Sequence, residues 1–295
     1  MQVSTPQQGK NNHRMSNNDN NCQVVRELFD NLPEGSLKIL QITDTHLYAD
    51  TDGRLLGMNT QQTLDEVFEM TRNCGPVDMI LSTGDLVHDS SVVGYRRFQK
   101  IMQKPGVPVY CLPGNHDVPE VMRETLIDSK VVYIPAVIQG DWLFVFLDST
   151  LPDSEGGNLS RQELDILQAT LSEHPDKQAL VCLHHHPVPV DSKWMDTMVL
   201  NNADDFFNII DQHSNVKGIL WGHIHQIFES ERNGVPLLAS PSTCIQFTPE
   251  KDDFDLDSEP PGCRWLALLP NGEIRSCVTR LSEMPEGLDF NSVGY

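Results

Sequence analysis

The 295-residue sequence contains no apolar run near the roughly 18 residues that a membrane-spanning helix needs. It is also poor in basic residues: 21 Lys and Arg stand against 42 Asp and Glu, a formal net charge of −21. A nucleic-acid groove requires a Lys- and Arg-rich surface, and anionic membranes attract basic segments. The composition therefore argues against both kinds of partner and predicts a soluble globular protein.

Two further absences concern the cellular compartment and the cysteines. The N-terminal residues lack the apolar core of a signal peptide, which predicts a cytoplasmic protein. The seven cysteines are widely spaced and include no C-x-x-C pair, which argues against a disulfide framework or a zinc ribbon. Residues 1–35 are rich in Asn, Gln and Ser, so we expect a disordered tail followed by a single domain over residues 36–295.

Apolar periodicity predicts alternating strands and helices up to about residue 226. Helices are expected over residues 59–74, 91–103 and 160–174, the last beginning with a capping box of Ser160 and Glu163. Strands are expected over residues 37–42, 79–82, 107–112, 142–147, 179–183 and 218–221. Later, Asn233-Gly234 and Asn271-Gly272 predict hairpins, and the acidic run over residues 252–259 predicts a solvated loop. These patterns indicate an α/β architecture with a β-rich C-terminal portion.

Five polar clusters follow five of these apolar strands directly. In chain order they are Asp44-Thr45-His46, Gly84-Asp85, Gly114-Asn115-His116-Asp117, His184-His185-His186 and Gly222-His223-Ile224-His225. Because the carboxyl ends of strands form the ligand-binding edge of open α/β sheets, the clusters are expected to converge. Each motif alone is common in turns, but the ordered series after five strands is specific.

The residue types in these clusters suit divalent metals. They offer carboxylates, imidazoles and an amide oxygen but no thiolate, which favours manganese, iron or zinc over a soft-metal site. Seven of the eleven histidines lie in the clusters. The glycines before Asp85, Asn115 and His223 allow sharp turns and close backbone approach.

With these motifs, residues 37 to about 245 resemble the calcineurin-like metallophosphoesterase superfamily. The segments ILQITDTHLYAD, LLGMNT, STGDLVHD, LPGNHD, LHHHPVP, WGHIHQ and SPSTCIQF further resemble the bacterial class III cyclic-AMP phosphodiesterases. The resemblance implies a four-layer α/β/β/α sandwich of two mixed β-sheets flanked by helices. It also implies hydrolysis of 3′,5′-cyclic AMP to 5′-AMP by a metal-bridging hydroxide, which would lower cellular cyclic AMP.

Carried over to this sequence, the resemblance implies a site for two divalent ions, Fe²⁺ or Mn²⁺ first and Zn²⁺ as an alternative. Asp44, His46 and His225 would hold one ion, and Asp85 would bridge both. The second ion would be held by Asn115, His184 and His223. His184 is preferred over His185 and His186 because it directly follows its strand, although alternation near a strand end is readily broken.

The same resemblance assigns roles around the reacting phosphate. His116 would donate a proton to the leaving 3′ oxygen, since an imidazole pKa suits a general acid, and Asp117 would orient His116. The substrate would contact the residues that share the phosphate-binding position: His46, Asp85, Asn115, His116 and His225.

Two alternatives remain open at the level of sequence. One is another metallophosphoesterase activity, such as a phosphoprotein phosphatase, a glycerophosphodiesterase or a nucleotide pyrophosphatase, because a fold does not fix its substrate. The other is a metal-binding interaction module without catalysis. Neither cyclic AMP against cyclic GMP selectivity nor the oligomeric state follows from the sequence.

Overall fold

In the computed structural model, residues 17–127 and 130–294 are described, and they form two six-stranded mixed sheets. In spatial order, the first sheet contains β14 (Ile274–Arg280), β13 (Gly262–Leu268), β1 (Leu37–Ile42), β4 (Met79–Thr83), β5 (Val109–Leu112) and β6 (Val131–Tyr133). The second contains β11 (Phe228–Arg232), β12 (Val235–Ala239), β10 (Val216–Trp221), β9 (Gln178–Cys182), β8 (Trp142–Phe146) and β7 (Ala136–Gln139). A short hairpin joins β2 (Arg54–Leu55) to β3 (Met58–Asn59).

The helices connect the parallel strands and cover the sheets. They are α1 (Asn17–Phe29), α2 (Thr60–Arg72), α3 (Val92–Met102), α4 (Pro119–Thr125), α5 (Arg161–Glu173) and α6 (Ala203–Ile210). Strands β1, β4, β5 and β6 run parallel, as do β8, β9, β10 and β12. Antiparallel pairing joins β13 to β1 and β14 in the first sheet, and β7 to β8 and β11 to β12 in the second. Parallel strands are usually buried on both faces. All residues of β4 and β8 are buried, and the last five residues of β1 are buried except the first of them, which is half-buried.

Three apolar layers separate the secondary-structure layers. Between the sheets, Ile39 and Leu81 of the first pack with Phe144 and Leu220 of the second. On the outer face of the first sheet, residues of β1, β4 and β5 pack against α2 and α3. On the outer face of the second sheet, residues of β8, β9 and β10 pack against α5 and α6. The expected four-layer α/β/β/α sandwich is therefore confirmed.

The expected helices and strands are present, with ends that differ by at most two residues, and both Asn-Gly hairpins form. The Ser160 hydroxyl accepts a hydrogen bond from the Glu163 N–H at 3.2 Å, as a capping residue does. The reciprocal half of the expected capping box is not made. The Glu163 carboxylate instead accepts a hydrogen bond from the Asp148 N–H at 3.0 Å, which ties α5 to the end of β8.

The expectation of a disordered tail up to residue 35 is wrong for residues 17–29, which form α1. Cys22 and Val25 are buried, and the Phe29 ring meets Trp265 of β13 edge-on with centroids 6.0 Å apart. The Asn-rich composition hides this narrow apolar stripe at i, i+3 and i+7, which docking on the sheet stabilises. Residues 1–16 lie outside the described part of the chain.

One disulfide joins α1 to the residue just beyond α2. Cys22 and Cys74 are bonded; they are 52 positions apart in the sequence, with a Cα–Cα distance of 4.2 Å. The spacing of the cysteines does not predict this single long-range disulfide, because separation along the chain gives no information on proximity in space. The other five cysteines are free.

Within the described residues, no helix is both long and apolar enough to cross a membrane.

Candidate active site

The five polar clusters converge where the carboxyl ends of the two sheets meet. Adjacent parallel strands β1, β4 and β5 lead into Asp44, Asp85 and Asn115. Adjacent parallel strands β9 and β10 of the second sheet lead into His184 and His223. The convergence expected from the strand-end rule is thus present in the structure.

Several of the converging residues have a strained backbone. Five non-glycine residues of the clusters have φ between 43° and 68°, the left-handed region: Asp44, His46, Asp85, His223 and His225. This region is uncommon for residues with a Cβ atom, and such residues concentrate at functional sites. The strain turns each side chain away from the strand direction and into a shared centre.

The first group of potential metal ligands contains Asp44, His46, Asp85 and His225, all of them buried. The Nε2 atoms of His46 and His225 are 3.3 Å apart. Asp44 Oδ1 lies 3.2 Å from His225 Nε2, and Asp85 Oδ2 lies 3.7 Å from His46 Nε2. These distances allow four donor atoms to reach one cation.

The second group contains Asp85, His184 and His223, so Asp85 belongs to both groups. His184 Nε2 lies 3.4 Å from Asp85 Oδ2 and 3.2 Å from the Asn115 amide oxygen. All seven residues expected as metal ligands are therefore brought together, with Asp85 in the shared position. The arrangement is a candidate dimetal site.

The donor chemistry fits bound cations. Among the described residues, neither ring nitrogen of the buried His223 has a hydrogen-bond partner. An unpartnered buried polar atom is costly, and the close approach of two imidazole nitrogens in His46 and His225 is unfavourable when both carry lone pairs. Divalent cations would satisfy both arrangements, and the carboxylate, imidazole and amide donors suit manganese, iron or zinc.

Backbone carbonyls set the tautomers of two of these imidazoles. The carbonyl oxygen of Thr83 lies 2.8 Å from His184 Nδ1, and that of Ile245 lies 2.9 Å from His225 Nδ1. Since a carbonyl only accepts, each Nδ1 carries the proton and each Nε2 turns its lone pair to the centre. This outer support is typical of histidines that bind metals.

The three consecutive histidines are distinguished by their contacts. His184 reaches the centre, whereas the nitrogens of His185 lie 2.8 Å from the Ser149 hydroxyl oxygen and 3.2 Å from the Glu155 carbonyl oxygen. His186 Nε2 lies 3.6 Å from an Asp196 carboxylate oxygen. The geometry favours His184 as the ligand, in agreement with the preference drawn from its position after β9.

Burial and neighbouring charges shift the pKa values in the centre. Burial lowers the pKa of His46 and His223 well below the usual value, and adjacent imidazoles lower it further. Burial also lowers the pKa of His184, but the Asp85 carboxylate outweighs it and raises that pKa to about 9. Burial opposes ionisation of Asp85, yet His184 and His116 hold its pKa well below the usual range. The centre therefore combines the ionised Asp85 carboxylate with a charged His184 and with neutral His46 and His223, and His184 would release its proton when a cation binds.

The glycines that precede the ligands allow close approach, as the sequence predicts. A Cβ atom on Gly114 would lie 2.2 Å from Asp85 Oδ1, and one on Gly222 would lie 2.2 Å from the Thr43 hydroxyl oxygen. On Gly84, with φ of 99°, it would lie 2.2 Å from His184 Nδ1. These positions have no room for a methyl group.

Gly114→Ala is expected to lower the free energy of unfolding by about 1–3 kcal/mol, because the methyl group displaces the Asp85 carboxylate. It should also lower the metal content of the purified protein. The matched control is Gly156→Ala, whose added methyl group would meet its nearest neighbour at 3.6 Å. Equal stability and metal content in the two variants, measured by urea unfolding and elemental analysis, would contradict the close-approach explanation.

His116 lies beside the dimetal site, half-buried and at the cleft. Its N–H donates to Asp85 Oδ1 at 2.9 Å, and its carbonyl oxygen accepts from the Ser90 hydroxyl at 2.6 Å. Its ring meets that of His46 edge-on, with centroids 5.1 Å apart. The backbone contacts fix the position of His116 relative to the bridging carboxylate.

The Asp117 carboxylate, expected to orient His116, is held by groups of two loops. It accepts hydrogen bonds from the N–H groups of Leu86, Val87 and Gly114 at 3.0–3.2 Å and from the Tyr95 hydroxyl at 2.9 Å. Two bonds to each oxygen use the acceptor capacity of the carboxylate. Burial and the Asp85 charge raise the pKa of Asp117 to about 7. Asp117 thus braces the loops after β4 and β5 against each other.

The segment Ser242–Phe247 holds the loop after β1 in place. The Ser242 hydroxyl donates to the Asp44 carbonyl oxygen at 2.8 Å, and the Thr243 N–H donates to the Thr43 carbonyl oxygen at 3.2 Å. The Phe247 ring stacks on His225 with centroids 4.4 Å apart. In the sequence, only the family resemblance singles out this segment, and the contacts show what it does physically.

A cleft of about 210 Å³ opens next to the site. It is lined by Asn115, His116, Glu155, Trp194, Thr197, Met198, His223, Phe254 and Gly294. Trp194 and Phe254 pack edge-on with ring centroids 5.3 Å apart. Asn115, His116 and His223 are expected here from the sequence, whereas Trp194 and Phe254 are not, because they follow no strand end.

Comparison with known proteins gives consistent results. Residues 37–227 match the family described as calcineurin-like phosphoesterase. The chain is 37% identical to the 3′,5′-cyclic adenosine monophosphate phosphodiesterase CpdA of Pseudomonas aeruginosa, over 89% of this chain and 96% of that protein. It is 40% identical to CpdA of Haemophilus influenzae, over 88% of this chain and 95% of that protein. The fold is similar to a dimetal phosphatase from Danio rerio, with a TM-score of 0.56 and 16% identity over 83% of this chain and 99% of that one.

Proposed function

This chain belongs to the calcineurin-like phosphoesterase family, and on that premise we propose that it hydrolyses 3′,5′-cyclic AMP to 5′-AMP at the dimetal site. The observation that carries the proposal is the shared position of Asp85 between two groups of buried ligands. Similarity to CpdA proteins over most of the chain supports cyclic AMP as the substrate. We further propose that the enzyme acts in the cytoplasm and lowers cellular cyclic AMP.

Two divalent cations, when bound, would activate water and stabilise charge on the attacking and leaving oxygens of an in-line displacement. Asp44, His46 and His225 would hold one, Asn115, His184 and His223 the other, and Asp85 both. Iron and manganese are proposed first, with zinc as the alternative, since imidazole and carboxylate donors accept all three.

The surrounding residues bind the phosphate and supply a proton. A phosphate next to the two ligand groups would contact His46, Asp85, Asn115 and His225 through the centre, and His116 from the cleft side. Water adds to phosphorus, the bond to the 3′ oxygen breaks, and His116 gives that oxygen its proton. The products balance as 5′-AMP with a free 3′ hydroxyl.

The net charge of the protein does not conflict with an anionic substrate. Asp44 and Asp85 together contribute −2 to the centre, and two divalent cations would contribute +4, so the occupied site is positive. Much of the remaining acidity lies on surface loops such as residues 252–259, where Asp252 pairs with Lys193.

Adding manganese to chelator-treated protein is expected to raise its Tm. A ligand that binds only the folded state at 100 times Kd stabilises it by about 2.7 kcal/mol, a rise of roughly 5–10 °C for a protein of this size. Calcium is the control, because it prefers sites made of oxygen ligands. An unchanged Tm with manganese, or an equal rise with calcium, would count against the assigned donor set.

A panel of substrates separates the proposal from its alternatives. With manganese present, the protein is expected to hydrolyse cyclic AMP and bis-p-nitrophenyl phosphate faster than the monoester p-nitrophenyl phosphate. A preference for the monoester would favour a phosphatase instead. Hydrolysis of none of the three would favour a binding module.

A further inference from the structure

His88 lies beside His46 and His116, outside both ligand groups that contain Asp85, although the ring nitrogens of these three histidines are close enough to reach one ion. It follows Asp85 by three residues, and its ring approaches both His46 and His116. Sequence reasoning gave it no role. Its contacts link the expected metal ligand His46 to the proposed proton donor His116.

The first contact concerns the tautomer of His46. Nδ1 of His46 lies 3.2 Å from Nδ1 of His88. His46 Nε2 faces Asp85 and His225 in the first ligand group, so it must carry the lone pair when a cation is bound. The proton of His46 is then on Nδ1, and it is donated to the lone pair of His88 Nδ1.

This support differs from that of the other ligands. His184 and His225 have backbone carbonyl oxygens beside Nδ1, which no substitution removes. For His46 the partner is the side chain of His88. The orientation of one metal ligand can therefore be changed by substitution at a position outside the ligand set.

The second contact concerns the proposed proton donor. The rings of His88 and His116 are stacked, with centroids 4.5 Å apart and an angle of 24° between planes. On its other side His88 meets the Tyr48 ring, with centroids 5.1 Å apart. Stacking limits the rotation of the His116 side chain, whose own backbone is fixed through Asp85 and Ser90.

His88 itself has a fixed backbone. Its N–H donates to the Leu47 carbonyl oxygen at 2.8 Å, and the next residue, Asp89, accepts from the Ala49 N–H at 2.8 Å. The loop after β4 is thus fastened to the loop after β1. Because its backbone is held by these bonds, the His88 ring can restrict the orientation of the two rings that it contacts, those of His46 and His116.

We infer that His88 is a positioning residue with two functions: its Nδ1 fixes the orientation of the ligand His46, and its ring fixes that of the proton donor His116. The inference rests on the proposed function only in its second part. The first part concerns metal binding and holds for any reaction at this centre.

Two substitutions separate these functions. His88→Phe keeps a ring between Tyr48 and His116 but removes the acceptor for His46 Nδ1–H. It is expected to weaken manganese binding by roughly 10–100-fold, as the loss of an outer partner of a metal-ligating histidine does. Saturating manganese should restore kcat to near the wild-type value.

His88→Asn is the reciprocal change. Its amide oxygen can take the place of Nδ1 as an acceptor, but no ring remains to stack on His116. Manganese affinity should stay within about threefold of wild type, while kcat for cyclic AMP falls roughly 3- to 10-fold, the equivalent of a lost aromatic pair. KM should change little.

Comparing two diesters with different leaving groups tests whether His88 acts through His116. p-Nitrophenolate leaves without protonation, so the kcat defect of His88→Asn should shrink on bis-p-nitrophenyl phosphate. Combining it with His116→Ala should add no further loss on cyclic AMP, since both would remove one function. A defect of equal size on both substrates would indicate a general structural effect and would overturn the second part.

The decisive readouts are a manganese titration by calorimetry and steady-state kinetics on all variants, with Tm as the check on folding. Wild-type affinity in His88→Phe would overturn the support of His46. Wild-type kcat in His88→Asn would overturn the support of His116. If the unmodified protein hydrolysed no diester, the proposed function would fail, while the manganese titration would still decide the role at His46.

Discussion

Asp85→Ala is expected to abolish both metal binding and hydrolysis. Asp85 is the one acid common to both ligand groups, so its loss removes a donor from each cation at once. Activity with cyclic AMP should fall at least about 10³-fold, because charge stabilisation by bound cations contributes several kcal/mol to the transition state. Elemental analysis and the release of 5′-AMP measure the two effects on the same sample.

A second variant removes an ambiguity in this experiment. Asp85 Oδ1 also accepts the His116 N–H at 2.9 Å, so alanine disturbs the loop as well. Asp85→Asn retains an amide oxygen for that bond but loses the negative charge and one of the two oxygen donors. Asp211→Ala serves as the control, since this carboxylate pairs with Arg232 at the surface. Retention of both metals in Asp85→Asn and Asp85→Ala would refute the bridging role.

His116→Ala is expected to keep its metals and lose turnover on the order of 10²–10⁴-fold with cyclic AMP, the range for a lost general acid. His116 lies at the cleft beside the centre and is not needed to complete either ligand group of Asp85. The loss should be much smaller on bis-p-nitrophenyl phosphate, whose leaving group needs no proton. Paired rate measurements on the two diesters test this directly.

The control for His116 is His213→Ala. The His213 ring pairs with Gln168 at 2.9 Å and has no place in the metal centre, so this variant should retain full activity. Near-normal turnover of cyclic AMP by His116→Ala would exclude the acid role. An equal loss on both diesters would point to damage of the site rather than to a missing proton.

Much of the site could be predicted from the sequence because two local signals coincide. Buried strands such as β4 appear as short apolar runs. The residues after β4, Gly84 and Asp85, are typical of a tight turn that presents a carboxylate for metal binding. The general rule on strand ends then brings distant clusters together without any knowledge of the contacts. The order of strands in the two sheets needed the structure.

The contacts of Asp117 and His88 could not be predicted from the sequence, because they depend on the direction of each side chain. Asp117 neighbours His116 in sequence, but its carboxylate points to backbone N–H groups of the loop after β4. His88 gave no periodic signal, although its ring ends between His46 and His116. The position of a residue in a turn does not determine where its side chain points, because turns break the alternation that strands impose.

The N-terminal helix shows a different limit. Its apolar face is narrow, and its Asn-rich composition predicts disorder when the segment is considered alone. The structure places Cys22 and Val25 in the core on the outer face of the first sheet. Tertiary packing outweighs intrinsic propensity here, as it commonly does for short helices.

The central claim is that the buried cluster around Asp85 is a dimetal centre that cleaves a cyclic nucleotide. The most direct measurement follows 5′-AMP formation from cyclic AMP by the purified protein, before chelation, after chelation and after manganese is restored. We expect that 5′-AMP forms, that chelation stops its formation, and that manganese restores it. Hydrolysis that survives complete removal of metal, or no hydrolysis by the manganese-loaded protein, would contradict this claim.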